Sequence, residues 1–172
     1  MNKIRVLVVE DQSIVREGMV AILSLQPDIE VVGEAEDGIE AVQMARKAKP
    51  DVILLDMVMP RQDGLTTIPR LKEIVPTAKI LVLSGFAESN RVYQAVKIGA
   101  LGYMLKDTPR VQLLQAIRDV ARGQARQLAF AGGPRGLRSS PTEPLRGSYH
   151  DRQDELQGLV YRARHSVQQW RA

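Results

Sequence analysis

The sequence predicts a doubly wound α/β domain on a five-stranded parallel sheet of order 2-1-3-4-5. Three observations carry that prediction. Strand-like and helix-like segments alternate from Ile4 to Val120. The segments between successive strands are long enough for the helical crossovers that parallel neighbours require. The run Val52-Ile53-Leu54-Leu55 is apolar without alternation, as in a strand buried on both faces. Right-handed crossovers and two-sided burial then favour the order 2-1-3-4-5, in which strands one and three meet where the winding reverses.

Each element has its own signal. Ile4 to Val9 is an apolar strand that ends on Glu10-Asp11. Asp11 and Ser13 are of a type that caps the helix after it, whose apolar face reads as Ile14, Val15, Met19, Ile22 and Leu23. Pro27-Asp28 stops that helix, and Ile29 to Val32 forms the second strand. Asp37-Gly38 opens a second helix expected to bury Ile39, Val42 and Ala45 before Pro50 ends it. The central strand follows and ends on Asp56. Leu65, Ile68, Leu71 and Ile74 then lie on one helical stripe. Pro69 is comfortable only in a first turn, so the regular helix is expected to begin near Thr67. Lys79 to Leu83 is the fourth strand, ending on Ser84-Gly85. A thinly apolar fourth helix runs from about Glu88 to Ile98, with Val92, Ala95 and Val96. Leu101 to Leu105 is the fifth strand, ending on Lys106-Asp107, and Thr108-Pro109 is expected to cap a fifth helix with Val111, Leu114, Ile117 and Val120 inward.

Composition bounds what the chain does. It has 172 residues, 44% of them hydrophobic, enough for one domain with an appendage. Cysteine is absent, which removes disulfides and thiolate metal sites. Aromatic residues make up 4%, too few for a stacking platform on single-stranded nucleic acid. No signal segment or membrane span is expected, and the protein is expected in the cytoplasm. The net charge of +4 is unevenly placed. Residues 1–121 hold 15 basic and 16 acidic residues, whereas residues 122–172 hold 9 Arg and 4 acids, a net +5. That shift marks the domain boundary.

In the predicted sheet order, four strand ends carrying Glu10-Asp11, Asp56, Ser84 and Lys106 converge on one crevice. Each alone reads equally well as a cap or turn residue. Together they have a chemistry. Carboxylates held close disfavour one another's ionisation unless a cation sits among them. A hard divalent ion with oxygen ligands fits, and Mg²⁺ suits a site that keeps waters and takes a phosphate oxygen. Lys106 adds an ammonium able to pair with Asp56 or with a phosphoryl group. Ser84 brings a hydroxyl, and the Gly85 backbone N–H lies beside it. A carboxylate of this kind can attack a phosphoryl donor to form an aspartyl phosphate.

Glu10-Asp11, Asp56 followed by Met59-Pro60, Asp63-Gly64, Ser84 and Lys106 resemble the receiver domain of bacterial two-component response regulators. The stretch Gly99 to Asp107, GALGYMLKD, is similar to the NarL/FixJ subfamily. The resemblance covers about residues 3–122. It implies a flavodoxin-like (CheY-like) fold and a phosphoacceptor switch that assists its own phosphorylation and dephosphorylation rather than a classical enzyme. Asp56 would accept a phosphoryl group from a sensor histidine kinase. Glu10, Asp11, Asp56 and the Val58 carbonyl would hold Mg²⁺, Glu10 through a water. The backbone at Val58 and Gly85, with Ser84 and Lys106, would contact the phosphoryl group. Tyr103 would be the switch aromatic that turns inward when Ser84 moves; the other reading is a half-buried ring with a wet hydroxyl. The thinly apolar fourth helix is the natural element to rearrange. The family further implies homodimerisation on phosphorylation and control of transcription.

The departure lies in the tail. The helix-turn-helix signature of the subfamily is missing after Arg122. Residues 123–151 are rich in Gly, Pro, Ser and Arg and read as a mobile linker. Residues 152–172 carry Leu156, Leu159, Val160, Ala163, Val167 and Trp170 at helical spacing. A short amphipathic helix is one reading, and coincidence in a disordered tail is the favoured one. A change of coding frame near residue 123 would account for the composition. Sequence-specific DNA binding is therefore not expected, and the alternative output is a stand-alone receiver acting on protein partners. An enzyme on the same sheet is the remote alternative. An aspartate-nucleophile phosphatase would want a second acid where Val58 stands, and a flavin carrier a Ser/Thr-rich loop where Asp11-Gln12-Ser13 stands.

Overall fold

A computed structural model describes residues 2–85, 89–124 and 126–128, with Ser89 and 126–128 known by their backbone alone. The strands are β1 Ile4–Val9, β2 Ile29–Ala35, β3 Val52–Asp56, β4 Lys79–Ser84, β5 Gly102–Leu105 and β6 Arg126–Leu128. The helices are α1 Ser13–Ser24, α2 Gly38–Ala48, α3 Gly64–Ile74, α4 Ser89–Lys97 and α5 Arg110–Ala121. The first five strands pair in the expected order, all in parallel, and β6 adds a sixth, parallel edge: β2-β1-β3-β4-β5-β6. Gly123, at φ 79, gives the chain the left-handed turn that leads from α5 toward β6. β6 lies inside the stretch expected to be linker. The remaining residues of that linker, the tail helix and the DNA-binding question lie outside the described residues.

Two cores sandwich the sheet. Ile53 and Leu55 of β3 join Leu7, Val9, Ile80, Val82 and Tyr103 under α2, α3 and α4, which contribute Ala41, Ala45, Ile68, Leu71 and Ala95. Val52 and Leu54 face the other way, with Val6, Val8, Leu81, Leu83 and Met104 under α1 and α5. All of β3 is buried, as its unbroken apolar run requires. Alternation along β3 thus feeds both layers and leaves Asp56 at its carboxyl end.

Four local expectations are corrected. Ile14 and Val111 are 78% and 73% exposed and Ile39 is 46% exposed, so none of them belongs to the buried face of its helix. Met19 and Leu23 in α1, Ala41 and Ala45 in α2, and Leu113, Leu114, Ile117 and Val120 in α5 carry the contacts instead. The α1 N-cap is Gln12, which makes no side-chain cap bond; Asp11 is drawn into the acidic crevice rather than onto the helix. No side chain caps α5 either, where Pro109 is the N-cap. Finally, α3 begins at Gly64, three residues before Thr67, and carries Pro69 inside it. Asp63 explains the early start: its carboxylate accepts from the Thr66 N–H at 2.9 Å and from the Thr66 hydroxyl at 2.6 Å.

Gly64 itself is set by close packing. A Cβ there would stand 2.8 Å from the Asp56 carbonyl oxygen and 3.0 Å from the Met57 Cα. Because both are backbone atoms, neither gives way cheaply. Gly64→Ala is expected to destabilise the fold by about 1–3 kcal/mol, the usual cost of overpacking, read as a lower urea midpoint.

Candidate acidic site

The crevice is built from the carboxyl ends of β1, β3 and β5. Glu10 follows β1 and is held by its own N–H on the Ala35 carbonyl at 3.0 Å. Asp56 closes β3, and the next residue, Met57, donates its N–H to the Leu83 carbonyl at 2.9 Å. Lys106 follows β5, its N–H bound to the Ser84 carbonyl at 2.8 Å. The three side chains therefore stand on backbone already fixed by the sheet.

They meet in the interior. Glu10 and Asp56 are 1% and 2% exposed. The Lys106 ammonium lies 2.8 Å from Glu10 Oε2 and 3.0 Å from Asp56 Oδ2. Asp56 Oδ1 accepts from the Val58 N–H at 3.2 Å, and Glu10 Oε1 from the Gln12 N–H at 3.3 Å. Asp11 completes the group: one ligand atom each from Glu10, Asp11 and Asp56 lies within 4.8 Å of the others. Asp11 Oδ1 is buried with no hydrogen-bond partner.

The charge balance is unfavourable as it stands. Burial pushes the Asp56 carboxyl up, against the hydrogen bond and charge of Lys106, which pull it down. Burial likewise raises Glu10, with Asp56 adding to the rise and Lys106 opposing it. Burial alone would lower the Lys106 ammonium, but its hydrogen bonds to Glu10 and Asp56 outweigh that and leave it raised. One ammonium thus faces three carboxyl groups. A cation with oxygen preference would relieve the excess and give Asp11 Oδ1 a partner, so the donor set fits Mg²⁺.

The other sequence-predicted residues fall around this group. Ser84 ends β4 and is buried, one residue beyond the Leu83 that pairs with Asp56. Gly85 is exposed, with open space where a Cβ would go. Val58 is 58% exposed at the rim of the crevice. Tyr103 is fully buried, paired with Val82 and packed in the core under α4. The half-buried ring with a wet hydroxyl is thereby corrected: the whole side chain, oxygen included, is inside, so this structure already holds the inward position expected of the switch aromatic.

The match of residues 6–118 to the model of the response regulator receiver domain decides what this arrangement is. The chain belongs to the response regulator receiver family. This receiver is 42% identical over 124 residues to the uncharacterized transcriptional regulatory protein YxjL of Bacillus subtilis, spanning 72% of the chain and 57% of that relative. It is also 42% identical over 121 residues to the transcriptional regulatory protein LiaR of Bacillus subtilis, spanning 70% of the chain and 57% of LiaR. Among solved structures it resembles the signal receiver domain of the putative response regulator NarL from Mycobacterium tuberculosis, with TM-score 0.69 and 39% identity, over 72% of the chain and all of that domain. The chain spans little more than half the length of these curated relatives. Among the described residues of the receiver, no helix is long and apolar enough to cross a membrane.

Two arginines escaped the sequence reading. Arg16 of α1 donates to the Glu10 carbonyl at 2.7 Å and pairs with Glu34 at 3.4 Å and Glu36 at 3.2 Å. Arg61, in the loop after β3, pairs with the buried Asp37 that caps α2. From the sequence Asp37 is only a helix opener. An inward Arg on the first turn of α1 was the available signal for the first; no local pattern marks the second.

Proposed function

We propose that Asp56 is the phosphoacceptor of a two-component relay, receiving its phosphoryl group from a sensor histidine kinase. The single observation that carries this is the pairing of buried Asp56 and Glu10 with one ammonium, Lys106, beside an unpartnered Asp11 oxygen. An Asp56 carboxylate oxygen attacks phosphorus, the bond from phosphorus to the donor imidazole nitrogen breaks, and the imidazole leaves. Asp11, Glu10, Asp56 and the Val58 carbonyl are the groups that would hold Mg²⁺, which when bound neutralises carboxylate and phosphoryl charge. Lys106 then exchanges its carboxylate partners for a phosphoryl oxygen. The Val58 N–H, already 3.2 Å from Asp56 Oδ1, and the Gly85 N–H are the backbone donors for the phosphoryl oxygens.

Output follows from the same charge. The phosphoryl group brings about −1.5 to −2 charges and new acceptor oxygens beside Ser84 and Lys106. Ser84 moves toward it, and Tyr103 and α4 respond. The receiver's relatives are transcriptional regulators, and we infer the same end for this relay, with phosphorylation-dependent homodimerisation and a cytoplasmic site of action. Incubation of the full chain with acetyl phosphate and Mg²⁺, followed by mass measurement, tests the acceptor reading. No gain in mass would overturn it.

The phosphoryl group should be long-lived. Hydrolysis needs a water aligned with the phosphorus–oxygen bond, and a polar side chain at the rim can align one. Val58 stands at that rim and is apolar. Val58→Asn is expected to speed loss of the phosphoryl group several-fold. Decay within seconds in the unaltered chain would argue the opposite.

A further inference from the structure

We propose that Arg61 is a positioning residue for the metal-binding loop, which it tethers to the start of α2 through Asp37. The proposal rests on the reading of Glu10, Asp11, Asp56 and the Val58 carbonyl as the Mg²⁺ site. Arg61 adopts φ 61, a left-handed conformation that a side-chain-bearing residue takes at a cost and keeps only where its surroundings impose it. Its side chain is 65% exposed, yet its guanidinium reaches an Asp37 side chain that is 1% exposed. Asp37 has its own reason to accept that contact. Its Oδ1 is used by the Ile39 and Glu40 N–H groups at 2.8 and 2.9 Å, and Oδ2 is buried with no hydrogen bond of its own, facing Arg61. A buried carboxylate oxygen without a cation would be costly.

The neighbouring residues fasten the same seam. The Gln62 amide donates to the Thr67 hydroxyl at 3.1 Å and accepts from Arg70 at 3.1 Å. Gly38 of α2 lies so close that a Cβ there would stand 2.8 Å from Gln62 Nε2. The Val58 carbonyl lies in the same short loop, between the end of β3 and this seam. Mg²⁺ demands near-ideal octahedral geometry, so a loop that wanders weakens the site even when every ligand is present.

Electrostatics separates this tether from a general field effect. Removing a cation near an acidic site should tighten cation binding, and removing an anion should weaken it. The tether instead makes Arg61→Ala and Asp37→Asn weaken binding alike. Asn still caps α2, so Asp37→Asn keeps the helix start. Mn²⁺ titrated into the full chain, with free ion followed by electron spin resonance, reads the affinity without phosphorylation. We expect about a tenfold loss in each single variant, the lower end of what losing an outer support costs a metal site, and no further loss in the double variant. Arg61→Gly relieves the backbone strain and should lose as much as Arg61→Ala. Tighter or unchanged binding in Arg61→Ala, additive losses in the double variant, or parental affinity in Arg61→Gly would each overturn the tether. If Asp37→Asn fails to fold, Arg61→Ala alone decides, because its side chain is exposed. Asp11→Asn is the control for the site: unchanged Mn²⁺ binding there would remove the metal reading itself, whatever the Arg61 variants do.

Discussion

Asp56→Asn is expected to abolish the phosphodonor-dependent gain in mass while raising the stability of the metal-free protein at pH 7. The first half follows from the loss of the nucleophilic oxygen. The second follows from burial, which raises the Asp56 carboxyl above its ordinary value. A carboxyl raised in the folded state contributes stability that is fully present below its unfolded value, about pH 4, and lost as pH rises through its folded value. Asn carries no such loss. The stability advantage of the variant should therefore be absent near pH 3, grow as pH rises out of the acid range, and shrink when Mg²⁺ is added. Urea unfolding across that range reads the stability, and mass spectrometry reads the label. Undiminished labelling would remove Asp56 as the acceptor, and a less stable variant at pH 7 would mean that Lys106 fully offsets the burial of Asp56.

Lys106→Ala should have the largest effect on folding. The ammonium is the partner of both Glu10 and Asp56, which are almost fully buried. Removing one side of a buried ion pair typically costs about 3–5 kcal/mol, because the other side is left charged and desolvated. Here two carboxylates lose their partner at once. The pH course has two limits. The Lys106 ammonium is raised in the fold, so its contribution is fully present below its unfolded value near 10.4 and is lost as pH climbs through the folded value above that. On the acid side the cost of the substitution also fades, because protonated Glu10 and Asp56 no longer need a cation. Saturating Mg²⁺ should recover much of the loss by supplying positive charge to the same carboxylates. A variant with parental urea midpoint at pH 7 without metal would show that the pair adds nothing to the fold.

The layout of the sheet was legible because β3 states its environment in five residues. Val52 to Leu55 allow no wet face, and Asp56 then has to mark the strand's exit. Glu10, Asp56 and Lys106 are legible for the same reason, since each follows directly on an apolar run, and Asp11 is the next residue after Glu10. Helix faces were less so. Ile14, Ile39 and Val111 fit an apolar stripe by spacing, yet spacing does not say how wide the buried stripe is, and each lies outside it. Small residues such as Ala41 and Ala45 let α2 sit close to the sheet and leave Ile39 outside. The start of α3 is earlier than Pro69 alone suggests, because the Asp63 cap fixes the first turn three residues before Thr67. Arg16 and Arg61 find their acids only once separate elements of the fold are brought together, and no local pattern encodes that. β6 was hidden because three residues in a polar, Arg-rich stretch carry no strand periodicity.

The Lys106–Glu10 contact joins residues 96 positions apart, near the two ends of the receiver. During synthesis the chain emerges from the amino end at about 5–20 residues per second, and domains fold as units. β1 and β3, with Glu10, Asp11 and Asp56, are available well before Lys106 has been made. Until then the three acids lack their ammonium, so an incomplete chain holds like charges that repel one another. The last strand of the alternating series is thus also the one that brings the buried acids their counter-charge.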